Sequence, residues 1–454
     1  MTDTSAMLNV FKLPELRKKI FITVGLLFIY RIGFHIPLPG VDISVWNGLR
    51  DQQQGGSVLG LLTVLSGGQL NMPVVFTLGI LPYISASIIF SLLTKVIPRL
   101  EALSKEGPAG QRKINQLTRL STVPLCLIQG GILCFTVFKP MSGPVEGTPN
   151  ASAALLPLLQ GDFLPGAGMI LMLVIGMTAG TLFIMWLGEQ ITEHGIGNGA
   201  SLIIMAGIIA GLPSVATRVV GDAIEDRSRI LIIALLIVTY IIVVLTVVMI
   251  TKGQRRIPIQ QAKLMKGRKM YGGTKHYLPI KVNMANVMPV IFASSLLMLP
   301  NLVAGAFSSG ETFLDPGGFV WVTLFIILIF FFSFFWTSMM FQPAEMANNL
   351  KEHGSFVPGI RPGRKTAEYL ERIMVRITLV GSAFLAVIAI LPTIVASTLQ
   401  VDFMTASFLG GTGILIIVGV ALDIVDKLNA HLMSRNYEGF MSSTSAKRGA
   451  RGGR

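Results

Sequence analysis

Residues 55–93 read GGSVLGLLTVLSGGQLNMPVVFTLGILPYISASIIFSLL, two apolar runs separated by Gly67, Gly68, Asn71 and Pro73. The first run, Val58 to Leu65, is far shorter than the ~20 helical residues that cross a bilayer, yet it is too apolar to rest in water. It belongs inside protein, filling a cavity at membrane depth. The second, Val74 to Leu93, carries no charge and is long enough to span. Irregular backbone survives in a membrane only where protein or enclosed water satisfies its polar groups. The first run therefore predicts a cavity, and the second helps to line it.

Outward from this stretch, apolar runs recur at 20–37, 74–94, 120–138, 166–187, 197–216, 230–251, 286–306, 319–341, 374–394 and 407–426, several of them uncharged. Each is near the helical length of a bilayer. With 454 residues, 52% of them hydrophobic and 13% charged, the chain reads as an all-α integral membrane protein of about ten spans. The first run ends in HIPLPGVD without a small-residue cleavage pattern, so it reads as a span rather than a removable signal. Of the 37 Lys and Arg, 31 fall in segments 1–19, 95–119, 252–285, 342–376 and 427–454, all on one side of the alternating spans. The other six are Arg31, Arg50, Lys139, Arg218, Arg227 and Arg229. The positive-inside rule then places both termini in the cytoplasm.

The charge-rich segments differ in character. Segment 1–19 carries Leu8, Phe11, Leu13 and Leu16 beside four cations, which suits a short amphipathic surface helix with Pro14 in its first turn. Segment 252–285 holds nine Lys or Arg, with His276 and no acid, in one long cytoplasmic connection. It serves either membrane-surface attraction or docking of an acidic or polyanionic partner. In 342–376, Pro358, Gly359, Pro362 and Gly363 stiffen a tip around Ile360 and Arg361, which favours a contact role for Arg361. The tail SSTSAKRGARGGR has the composition of a disordered basic segment. In the turn 188–196, Gly195, Gly197 and Gly199 suit a tight reversal, and Asn198 and Glu193 are better explained by satisfying the turn than by binding a ligand.

Catalytic and transport chemistry finds little purchase. The middles of spans two to ten hold no Asp, Glu, Lys, Arg or His, although ionisable groups at depth are what an ion-coupled transporter requires. Paired mid-membrane carboxylates, a nucleophile triad and a metalloprotease motif are absent from the sequence. The five histidines are scattered, and Cys126 and Cys134 lie about 12 Å apart along one helix, beyond disulfide reach. No enzyme activity, cofactor or metal is expected. Ile80 and Ile84, one helical turn apart, share a face beside Pro82, whose missing N–H loosens the helical ladder there, and Ala200 and Ile204 repeat the spacing. On the residues alone these are packing or lipid-facing positions.

TLGILPYISASII (77–89), WLGEQITEHGIGNGASLII (186–204), LPIKVNMANVMPVIFASS (278–295), SFVPGIRPGRKTAEYL (355–370) and LGGTGILII (409–417) together resemble the SecY family, the large subunits of the bacterial Sec translocon. The resemblance implies ten helices in two pseudo-symmetric five-helix halves, 20–216 and 217–426, between an N-terminal segment 1–19 and a basic tail 427–454. It implies a plug at 55–70, including Leu59, Leu61, Leu62, Val64, Leu65, Ser66, Gly67 and Gly68, which agrees with the cavity argument. The pore ring would comprise Ile80, Ile84, Ala200, Ile204, Ile291 and Ile416, with Ala200 where some relatives carry isoleucine. A lateral gate would open between spans two and three on one side and seven and eight on the other. Arg255, Arg256, Arg268, Lys269 and Arg361 would dock the ribosome, through its rRNA and proteins, and the SecA motor ATPase. SecE and SecG would be small membrane partners, polypeptides bearing signal sequences the cargo, and the bacterial inner membrane and its lipids the setting.

A mechanism accompanies this resemblance. A conduit for unfolded chains of arbitrary sequence cannot offer strong polar sites, and a collar of branched apolar side chains binds nothing tightly yet can dewet to block ions. Apolar signal helices prefer lipid and can leave sideways. The driving force must come from translation or an ATPase. The competing expectation is a secondary solute transporter with a discontinuous helix, against which the uncharged spans weigh.

Overall fold

A computed structural model of the chain describes residues 14–39, 41, 73–134, 166–225, 229–261, 264–266, 269–271, 275–307, 318–399, 406 and 411–449. Each of the ten apolar runs carries a helix: α1 (Pro14–Gly33), α2 (Leu81–Val96), α4 (Pro108–Leu133), α5 (Gly166–His194), α6 (Gly199–Glu225), α7 (Arg229–Lys252), α8 (Met288–Phe307), α9 (Phe319–Met340), α11 (Arg364–Leu399) and α12 (Thr412–Gly449). Two short helices, α3 (Pro98–Lys105) and α10 (Pro343–Glu352), stand beside them. Among the described residues, five helices are long and apolar enough to cross a membrane unaided. The helices cluster into two compact units, residues 1–213 with 416–454 and residues 214–415, and the boundary falls in α6 at Pro213 and Ser214.

In the first unit, α1 packs on α5, α2 on α4, and α4 on α5. The second apolar run is helical only from Leu81, a correction to the expected span from Val74. Residues 73–80 instead run extended and turned against the chain after α1: Leu38 N–H donates to the Pro73 carbonyl (2.9 Å) and Val75 N–H to that of Ile36 (3.0 Å). Thr77 Oγ1 accepts from Val74 N–H and donates to its carbonyl. Bare glycine backbone makes room for this crossing. A Cβ on Gly180 of α5 would lie 2.0 Å from the Val75 carbonyl oxygen, and one on Gly33 would strike the Phe76 ring. Gly79 takes a left-handed φ of 57°, after which Pro82 sits in the first turn of α2. Proline is preorganised for that position and its missing N–H is no loss there. Pro82 thus starts a helix rather than loosening one, and Ile84 N–H still donates to Ile80. After α2 the chain bends by 98° into α3.

In the second unit, α8 packs on α9 and α9 on α11. The long basic connection after α7 is not a simple loop. β1 (Gln254–Gln261) pairs antiparallel with β4 (Lys275–Lys281), with Ile257 opposite Leu278, and β2 (Leu264–Lys266) pairs with β3 (Lys269–Tyr271). A third strand, β5 (Ser355–Phe356), joins the far edge of β1. Alternation along β1 buries Ile257 and Ile259 and leaves Arg256 and Pro258 exposed, the signature of a ribbon with one covered face. Beneath it, Ile257, Ile280, Phe341, Val357, Leu370 and Ile373 form one apolar cluster.

Two further expectations shift. Residues 14–19 belong to the continuous helix α1 rather than to a separate surface helix, and the C-terminal backbone stays helical to Gly449 instead of disordered. Cys126 and Cys134 are buried and free, as their spacing requires.

Candidate functional site

Of the six positions expected at a constriction, Ile80, Ile84, Ala200, Ile204 and Ile416 lie in the first unit and Ile291 in the second. Ile80 closes the turn that launches α2, Ile84 lies one turn into it, Ala200 and Ile204 open α6, and Ile416 opens α12. The five isoleucines are each at most 7% exposed. Ile89 on α2 and Ile209 on α6 are 41% and 44% exposed, so each helix turns one isoleucine face into protein and another outward. A residue serving only to meet lipid would belong to the second group.

The start of α6 is fixed by close backbone contact with the end of α5. A Cβ on Gly199 would sit 1.8 Å from the Gly188 carbonyl oxygen, so the two segments touch backbone to backbone. Thr192 Oγ1 donates to that carbonyl and accepts from Gly199 N–H (2.9 Å). Asn198 Oδ1 accepts from Ala200 N–H, and Thr23 Oγ1 of α1 accepts from Ile196 N–H. Asn198 therefore caps a turn, and Gly197, at φ +99°, supplies its left-handed step. Glu193 is exposed beside it.

The expected docking residues that are described lie in the second unit, Arg255, Arg256 and Arg361 on one platform and Lys269 on the separate β2–β3 ribbon. Pairing of β5 with β1 ties the second basic loop to the first, and Val357 from one joins Ile257 and Ile280 from the other in the shared cluster. Arg255 and Arg256 occupy opposite faces of β1: Arg255 is on the side of Ile257 and Ile259, while Arg256 stands outward opposite Pro279, next to exposed Tyr277. Ile360 packs against the cluster and anchors the tip, whose turns need left-handed Gly359 (φ 83°) and Gly363 (φ 98°). The Arg361 carbonyl accepts from Thr366 Oγ1 (3.0 Å), and its side chain is exposed with no ion pair among the described residues. Nearby cations are quenched instead: Glu368 accepts from Lys365 and pairs with Arg364, and these hold its carboxyl below the usual range. The backbone of Lys269 pairs with that of Lys266. Arg268 and the expected plug, Leu59, Leu61, Leu62, Val64, Leu65, Ser66, Gly67 and Gly68 within 55–70, lie outside the described residues.

One constellation escaped the sequence. Arg119 of α4 donates through Nε to Glu189 of α5, and Tyr83 of α2 lies within electrostatic reach of both. The pair is 70 residues apart, so no local spacing announces it, and span windows of 120–138 and 166–187 left both residues just outside the membrane. No group of residues with metal-ligand geometry occurs among the described residues.

The model of the SecY family matches residues 74–425. The chain is 44% identical to the protein translocase subunit SecY of Corynebacterium glutamicum, over 96% of this chain and all of that one. In solved structures it resembles a protein conducting channel (TM-score 0.62, 19% identity, covering 94% of this chain and 96% of that one). It also resembles Sec61 in the canine ribosome–channel complex from the endoplasmic reticulum (TM-score 0.59, 18% identity, covering 94% and 96%).

Proposed function

The chain belongs to the SecY family of protein translocase subunits, and from that premise we propose that it forms the conduit through which unfolded polypeptides cross the membrane. The observation that carries the reading is the burial of Ile80, Ile84, Ile204, Ile291 and Ile416, while α2 and α6 expose other isoleucines, Ile89 and Ile209. In this reading Ile80, Ile84, Ala200, Ile204 and Ile416 of the first unit serve as a constriction of apolar groups and Ile291 is assigned the same role, and such a collar excludes ions by dewetting and yields to a passing chain because it binds nothing tightly. Residues 55–70 supply the stopper on its external side. Hydrophobic segments leave sideways into lipid, where their transfer is favourable. Nothing supports the solute-transporter alternative.

The basic residues Arg255, Arg256, Arg268, Lys269 and Arg361 dock the source of force, the ribosome or the SecA motor. Dense cationic charge on a rigid ribbon steers polyanionic and acidic surfaces. SecE and SecG complete the complex in the bacterial inner membrane, with both termini cytoplasmic. Resting ion conductance in planar bilayers tests the constriction. Replacing Ile84 by Ser or Ile204 by Gly is expected to raise it severalfold, and conductance equal to that of the wild type would remove both residues from the constriction.

A further inference from the structure

Within the first unit, the Arg119 and Glu189 pair bridges α4 and α5. Arg119 stands about three turns into α4, roughly 16 Å along its axis, and the Glu189 side chain is mostly covered. The Arg119 side chain is 43% exposed, so it is the covered Glu189 carboxylate that requires the partner. Each partner is tied to a helix that carries constriction residues. Glu189 follows Gly188, whose bare Cα lies against Ile203, Ala200 and Gly199, so the carboxylate moves with the start of α6. Arg119 stands on α4, which packs along α2, the helix that carries Ile84. Glu193, one turn beyond Glu189, adds like charge that Arg119 must offset.

We propose that the Arg119–Glu189 pair is a positioning element that, through the packing of α4 on α2 and of the end of α5 on the start of α6, fixes the placement of α2 relative to α6 and so holds Ile80 and Ile84 in register with Ala200 and Ile204. The role rests on reading those residues as the constriction. A directional ion pair suits it better than apolar packing, because a charge-assisted hydrogen bond from the guanidinium to the carboxylate fixes the orientation of the two helices that carry them. The pair touches no cargo. It acts through the helices it ties.

The test uses the full chain with its membrane partners, Cys126 and Cys134 replaced, and spin labels on Ile89→Cys of α2 and Ile209→Cys of α6, both outward-facing positions. Arg119→Gln and Glu189→Gln are expected to shift and broaden the α2–α6 distance distribution and to raise resting conductance severalfold. The exchange Arg119→Glu with Glu189→Arg is expected to restore both. An unchanged distance distribution in the single variants overturns the proposal. Should those variants fail to fold, Glu189→Asp decides: a partial shift supports the positioning role and none refutes it. Ile84→Ser in the same bilayers separates this from the constriction reading. If distances shift while neither Glu189→Gln nor Ile84→Ser leaks, the pair positions the helices and the constriction reading falls.

Discussion

Gly199 shows how one residue sets the place of several others. Its φ is not the reason it must be glycine; the Gly188 carbonyl, 1.8 Å from where a Cβ would stand, is. Gly199→Ala should therefore force α6 away from α5, at about 1–3 kcal/mol for overpacking against rigid backbone. Gly221, on the same helix, has open space for 4 Å around the place a Cβ would take, so Gly221→Ala should be neutral or gain about 0.5–1 kcal/mol. Thermal unfolding of the purified complex in detergent separates the two, and equal midpoints would show that the junction yields. The GIGNG run announced a tight reversal in the sequence, and Asn198 as its cap was legible too. The backbone contact was not, because close approach depends on which helix arrives opposite. Arg119 and Glu189 were hidden for the same reason: each reads as an ordinary charge at a span end until α4 and α5 are packed together.

At the scale of elements, apolar runs were legible wherever hydropathy alone decides, and ten runs became ten helices. Two elements were not. Val74–Ile80 is as apolar as a span, but Pro73, Gly79 and the docking of Phe76 on Gly33 hold it out of the helix. The strands β1 and β4 carry the period-two pattern only at Ile257, Ile259, Leu278 and Ile280, and cations and prolines obscure it. The ribbon leads to a prediction that a loop would not. Arg256 projects from the outer face beside Tyr277, whereas Arg255 shares the face of the buried isoleucines. Arg256→Glu and Arg361→Glu should each weaken docking of the motor ATPase or the ribosome by about 1 kcal/mol per charge contact, roughly fivefold, and Arg255→Glu by less. The losses should shrink as salt is raised. Binding to vesicles carrying the complex, followed by preprotein transport, reads the order, and equal loss at 255 and 256 would mean that the ribbon's faces do not govern contact.

For the molecule as a whole, orientation ties the parts into a machine. A platform that receives force is useful only on the side where ribosomes and ATP are found. Charge supplies the asymmetry: 31 of 37 Lys and Arg fall in the segments that the positive-inside rule assigns to the cytoplasm, the basic connections of the platform among them. The two buried cysteines can be replaced and single thiols placed where the fold leaves them exposed. With Arg361→Cys at the platform tip and Phe319→Cys at the start of α9, a membrane-impermeant maleimide should label the first in inverted vesicles and the second only in intact spheroplasts. Phe319 is the sterner witness. It lies one full span, α9, from the platform, so its labelling reports that α9 crosses the bilayer rather than resting on it. Labelling of both thiols from one side would break the link between charge asymmetry and direction, and with it the assignment of the platform as the face on which force is applied.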